Sequence, residues 1–266
     1  MHLCKKTNYL TMMKKSIFLL LLLSAICCAQ AQVNVQLHRD FGRTLYSDQE
    51  HERPQVTTTV EVLKPDKWGT TYFFVDMDYL SDGVSGVFMK FTRDFTLARL
   101  SANSALVTHW EYNGGMQSFK SNFYGNRFQH SLVGGLGWTW HSNDFSKTYL
   151  VNLGYRQHFK DHTHEGFAGF HANQVWKIDF GHRRFTFNGF SEVWYNKTPM
   201  GKISFLTEPQ FWVNLNTLKG MEGVNLSLGT EVEMSNNFIY ANWLYNPLLK
   251  HQTFYMNPTL AMKWTF

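Results

Sequence analysis

Residues 257–266, NPTLAMKWTF, decide the fold once they are read two at a time. Leu260, Met262, Trp264 and Phe266 fall on one face, and Thr259, Ala261, Lys263 and Thr265 on the other. That alternation is a β-strand with one apolar and one polar side. A chain end frays unless it is tied down, and Trp and Phe left in water there invite association. The apolar face therefore needs a cover.

The same pattern recurs upstream. KTYLVNLGYRQ (147–157) sets Tyr149, Val151, Leu153 and Tyr155 against Leu150, Asn152, Gly154 and Arg156. SLVGGLGWTWH (131–141), TEPQFWVNL (207–215) and VNLSLGTEVEM (224–234) alternate in the same way. No comparable stretch follows the i, i+3, i+4 rule of a helix. The pattern predicts an all-β chain of about twelve strands, running from 33–41 to 254–266 and including 84–93, 104–113, 130–141 and 202–215. Segment 237–245 is assigned to a loop, because single-chain bacterial barrels use even strand numbers. Most strands have about ten residues, enough to span a tilted bilayer crossing. The longer connections, 114–129 and 235–253 among them, alternate with short ones such as 142–146 and 181–183. Segment 81–83 is a tight turn on the side of the long loops.

The N-terminus sets the context. Lys14 and Lys15 precede the apolar run IFLLLLLSAICC (17–28) and then AQAQ. This is a secretory signal with its cut expected after Ala31, leaving 32–266 as one barrel. Cys4, Cys27 and Cys28 all lie in the signal, so the mature chain is expected to hold no disulfide and no thiolate metal site. Removing four lysines leaves 21 basic against 20 acidic residues, so the basic charge of the whole chain is no argument for nucleic-acid binding. The expected architecture is a single closed antiparallel transmembrane barrel of a Gram-negative outer membrane. Its apolar face meets lipid, and its sheet closes because no backbone group in a bilayer can stay unpaired. A soluble sandwich is the alternative.

In this register the strand TTYFFVDMDYL (70–80) sends Tyr72, Phe74, Asp76 and Asp78 inward, and VFMKFT (87–92) sends Phe88, Lys90 and Thr92. Further lumen candidates are His109, Glu111, Glu192, Glu208, Gln210, Trp212 and Glu231, with Glu61, Lys177, Asp179, Trp194, Glu233 and Lys263. Two readings of this set stand side by side. Carboxylates and lysines can fill a narrow barrel as an ion-paired plug. Aromatic faces beside polar groups can instead hold a planar, uncharged solute.

The stretches QVNVQLHRDFG (32–42), TTTVEVLKPDKWGTTYFFVDMDY (57–79) and VFMKFTRDFTLARL (87–100) resemble the nucleoside-specific channel (Tsx-type) family. The resemblance implies a twelve-stranded monomeric outer-membrane channel, not an enzyme, that passes nucleosides or similar small solutes. It implies solute contacts at Tyr72, Phe74, Asp76 and Phe88. By parity Asp78 and Lys90 lie beside them, and Lys90, two residues beyond Phe88, can balance the charge of Asp76. The family's long external loop after the third strand is replaced here by Ser81-Asp82-Gly83. Phe266 matches the assembly signal of bacterial barrels. The partners expected are a solute, the bilayer, periplasmic chaperones and the barrel-assembly machinery, with no cofactor and no metal. A closed structural barrel that presents its loops to a partner is the other class of function, and Phe119, Phe123, Tyr124 and Phe128 in 114–129 keep it open. Two motifs are set aside: WHSND (140–144), which shares residue types with barrel lipid hydrolases, and the loop histidines His162 and His164 beside Glu165.

Overall fold

The last strand meets the first. In the computed structural model, which describes residues 31–50, 53–81, 83–119, 122–162, 164–239, 248–249 and 251–266, β1 (Gln32–Asp40) pairs antiparallel with β13 (Phe254–Thr265). The register runs from Asn34 opposite Thr265 to Asp40 opposite Thr259, and the Phe266 amide donates to the Val33 carbonyl at 2.9 Å. The chain end that alternation left in question is thus held in a ladder. All but the last residue of the expected signal, 1–31, and most of segment 237–245 lie outside the described residues.

Between these strands the chain meanders. After the short α1 (Gly42–Leu45) come β2 (Val56–Asp66), β3 (Gly69–Leu80), β4 (Gly83–Arg99), β5 (Ser104–Phe119), β6 (Asn122–His141), β7 (Lys147–His158), β8 (Phe167–Phe180) and β9 (Phe185–Thr198). β10 (Gly201–Thr207), β11 (Gln210–Asn214) and β12 (Leu226–Asn236) complete the wall before β13. Each strand pairs with its neighbours, and β12 also pairs with β13, so one sheet closes on itself. β10 and β11 both lie between β9 and β12, so the thirteen segments fill twelve places.

The expected strand 202–215 is therefore broken at Glu208-Pro209. Proline has no N–H to give the ladder. The break is bridged rather than opened: the Glu208 amide donates to the Phe190 carbonyl at 3.1 Å, and the Pro209 carbonyl accepts from the Val232 amide at 3.0 Å. Opposite it stands Gly189, where a Cβ would fall 2.4 Å from the Glu208 carbonyl oxygen, so the close approach requires glycine.

A second difference concerns 114–129, expected as a loop. β5 and β6 continue through it, pairing Gly115 with Phe128 and Gln117 with Asn126. The two-residue alternation fades there, but the backbone ladder needs no side-chain pattern to extend beyond the bilayer. β4 likewise runs past residue 93 to Arg99.

Side-chain parity follows the sequence. Leu153, Leu136 and Leu260 on the outer face are 65 %, 62 % and 64 % exposed, whereas Gln36, His109, Asn152 and Asn257 on the inner face are buried. Polar groups inside and leucine outside reverse the order of a soluble core, as a lipid-facing barrel requires. At the end carrying the short turns, Trp138 packs on Tyr149, Trp176 on Phe187 and Phe185 on Phe211, an aromatic girdle at the interface. At the opposite end the segment after β1 folds over the mouth. Tyr46 meets Tyr255 edge-on at 5.2 Å, and its hydroxyl accepts from the Met256 amide at 3.2 Å.

Leu153 lies halfway along β7 on the outer face. Leu153→Arg should destabilise the barrel in vesicles by roughly 2–4 kcal/mol, and Leu100→Arg, at a rim turn, by only about 0–1 kcal/mol. Urea unfolding followed by tryptophan fluorescence checks this; equal costs would contradict the lipid-facing assignment.

Candidate lumenal site

Parity aims one residue in two at the lumen, and closure brings strands distant in sequence face to face. β4 and β9 stand across the barrel from each other, with β5 to β8 between them on one side. From β4, Lys90 reaches across to hydrogen-bond Glu192 of β9, and its Nζ lies 3.6 Å from the Glu111 carboxylate of β5. Glu192 also accepts from Asn173 of β8 at 3.2 Å and lies 4.0 Å from the Arg156 guanidinium of β7. His109 bonds Asp94 at 2.7 Å and approaches Glu111 at 3.6 Å. His171 lies 3.8 Å from Glu192 and 4.0 Å from Glu111. These groups are almost fully buried, so this chord of the lumen is filled by a charged brace.

The brace bears on metal binding. Glu111, His171 and Glu192 converge with ligand atoms within 4.8 Å of one another. The ammonium of Lys90 already stands at both carboxylates, and Arg156 adds a second positive charge. A divalent cation would have to displace Lys90.

The wall of β12, β13, β1, β2 and β3 is different in charge. Asp40, Glu61, Asp76, Asp78, Glu231 and Glu233 face inward there, with Glu208 beside them at the break, where Asp76, Glu231 and Glu233 add to the acidic field around it. Most of these acids are held by neutral donors. Thr59 donates to Asp76 and Thr57 to Asp78, each at 2.6 Å; Tyr72 and Asn34 donate to Glu61, each at 2.9 Å; Gln210 donates to Glu231 at 2.6 Å. Neutral donors orient a carboxylate without cancelling its charge. The cations here are Arg53, from the segment over the mouth, and Lys263, whose Nζ sits 4.1 Å from the Trp212 ring. Asp76, Asp78, Glu61 and Lys263 are only partly buried, in contrast to the groups of the brace.

The residues expected for solute contact lie as follows. Tyr72, Phe74 and Phe88 form a continuous strip, each adjacent pair 5.9 Å apart and tilted at 53°, and Phe128 extends it edge-on at 5.4 Å. Asp76 and Asp78 continue the strip toward the mouth. Lys90 points inward but away from Asp76; it serves the brace, because two buried carboxylates hold it there. His109, Glu111 and Glu192 join the same brace, while Glu208, Gln210, Trp212 and Glu231 belong to the acidic side. Asp94 and Arg156 were open to the same parity reading. Arg53 sits in a loop, where no periodicity marks it. In the set-aside motif WHSND the Ser142 hydroxyl donates to Asp144 at 2.7 Å, and His141 stacks on Phe145 and contacts the Ser142 carbonyl. His164 bonds Asp161 and Lys160 pairs with Glu165 in the outer loop.

The family described as "Domain of unknown function (DUF5020)" matches residues 31–266. No curated protein matches the sequence. Among solved structures, a KdgM porin aligns over 88 % of this chain and 99 % of its own, with 9 % identity and a TM-score of 0.46. OccK11 (OpdR) of Pseudomonas aeruginosa aligns over 88 % of this chain and 63 % of its own, with 9 % identity and a TM-score of 0.38.

Two outcomes follow from the geometry. Lys90→Met strands Glu192 and Glu111 and should cost about 3–5 kcal/mol, whereas adding Glu192→Leu should recover part of the loss; urea unfolding of the single and double variants measures both, and a single variant as stable as wild type would contradict the brace. At the mouth, burial pushes the Glu50 carboxyl up to about 7 against the pull of Arg53, with Glu233 and Asp40 adding to the push. The seated segment then binds a proton that the released one lacks, so seating tightens as pH falls through 7 and levels off below the ordinary 4.5. A spin label on Arg43→Cys should be more mobile at pH 8 than at pH 5.5, and Glu50→Gln should flatten the difference.

Proposed function

The chain belongs to the family described as Domain of unknown function (DUF5020), and from that premise we propose that it is an outer-membrane channel passing small, polar, planar solutes, nucleosides foremost, by facilitated diffusion. The observation that carries this reading is the strip of Tyr72, Phe74 and Phe88 beside Asp76 on the lumenal face of β3 and β4. Ring faces attract planar solutes whatever their substituents, each stack contributing roughly 1–3 kcal/mol in nucleic-acid binding. Carboxylates beside them accept solute hydroxyls, and weak contacts in series suit a solute that must leave as well as arrive. The resemblance of β1 to β4 to nucleoside channels supports the same choice. In this reading the signal is cleaved after Ala31, Phe266 guides assembly at the periplasmic interface, and the barrel works as a monomer.

The brace favours a second reading, a closed barrel that presents its outer hairpin and loops to a partner. Lys90, Glu111 and Glu192 fill their chord of the lumen regardless of what passes beside them.

Planar-bilayer recording separates the two. Millimolar adenosine or thymidine should reduce the current through the open pore more than glucose does. Phe74→Ala should weaken that block by roughly 1–3 kcal/mol while leaving the pore conducting. Silence would favour the closed barrel, and equal block by sugar and nucleoside in both proteins would leave a general diffusion pore.

A further inference from the structure

Arg53 comes from the segment over the mouth and not from the wall, yet its guanidinium lies between two carboxylates of the wall. Nη2 donates to Asp40 Oδ2 at 2.9 Å and to Glu233 Oε2 at 3.0 Å. Nε donates to the same Asp40 oxygen at 3.1 Å, and Nη1 lies 3.4 Å from Glu233 Oε1. The two carboxylates sit on β1 and β12, on either side of β13, and each is fixed by a neighbour. The Gly42 amide donates to the other Asp40 oxygen at 2.7 Å, and the Asn257 amide reaches Glu233 at 3.4 Å. Forked contact to two carboxylates is the geometry that guanidinium groups favour. Glu50, from the same segment as Arg53, adds a third carboxyl group 3.6 Å from Nε, and Asp78 stands deeper on the same wall. The Arg53 side chain keeps 17 % of its surface exposed, so water reaches it.

A second cation shows the same chemistry further in. Lys263 lies over the Trp212 ring, and Glu61 attracts it. The acidic side of the lumen thus holds the chain's own cations at two levels, one against paired carboxylates and one against an aromatic face.

We propose that Asp40 and Glu233 form a subsite at the mouth for the guanidinium or ammonium group of a passing solute, and that Arg53 occupies it as a tethered stand-in. A solute with a planar cationic head displaces Arg53 and meets Asp78, Asp76 and then the ring strip. As a statement of which solutes the channel admits, this rests on the channel reading; as a statement of binding, it is tested without current.

The probe is ethylguanidinium, with ethylurea as the neutral control of similar shape, titrated calorimetrically into the folded barrel in detergent. Arg53→Ala should bind ethylguanidinium at least about tenfold more tightly than wild type, the fold-change expected when a resident competitor is removed. Arg53→Lys should show little gain, since an ammonium still fills the site, and adding Glu233→Gln to Arg53→Ala should abolish the gain. If Arg53→Ala does not fold alone, millimolar ethylguanidinium during refolding should restore the fast-migrating folded form on gels, and ethylurea should not. The subsite is overturned by a folded Arg53→Ala with no gain, by an unfolded one without rescue, or by an equal response to ethylurea. Silence in planar bilayers would remove the channel reading and leave this binding result standing.

Discussion

Closure of the β1–β13 ladder is the constraint on which everything else depends. In hydrocarbon an unpaired amide costs several kcal/mol, so a membrane sheet has no acceptable edge. Once Asp40 stands opposite Thr259 and Asn34 opposite Thr265, the register around the ring is fixed. A one-residue slip would turn Leu260, Met262 and Trp264 into the lumen and Lys263 into lipid. The girdle, the polar interior and the brace all follow from that single register.

Closure also explains why the lumen has two characters. A ring of twelve places brings β4 within reach of β9, and the long side chains of Lys90, Arg156 and Glu192 bridge what the backbone leaves open. Charges taken out of water there must be balanced, and the brace pairs them. Among the described residues, the wall from β12 through β3 shows no ion pair of that span below the mouth. Its carboxylates rest instead on threonine, tyrosine, asparagine and glutamine. A filled chord and an acidic wall are two consequences of where long cations happen to lie on the strands.

Much of this was legible in the sequence, and the limits have physical causes. Parity at 72, 74, 76 and 88 follows from the two-residue repeat, because the lipid face tolerates no polar residue, and the inward side chains are therefore known. What an inward side chain touches depends on ring size and shear, which no local pattern encodes. Lys90 shows this: its partner Glu192 is 102 residues away, and neighbouring strands alone had suggested Asp76. Pro209 marked the wall's break, but the detour through the Phe190 carbonyl needed the third dimension. Arg53 was invisible, since loops carry no period and its importance arises only when the segment after β1 folds over the mouth. The hairpin above β5 and β6 was hidden because alternation stops where lipid does, while hydrogen bonding continues.

The proposed channel reading places the water path along the acidic wall and not through the brace. Lumen charge sets the sign of the ions that follow such a path. The direct measurement is the reversal potential of single channels in a planar bilayer under a potassium chloride gradient. The account predicts open channels whose reversal potential lies toward that of potassium. Channels that favour chloride, or folded and inserted barrels that stay silent, would contradict it.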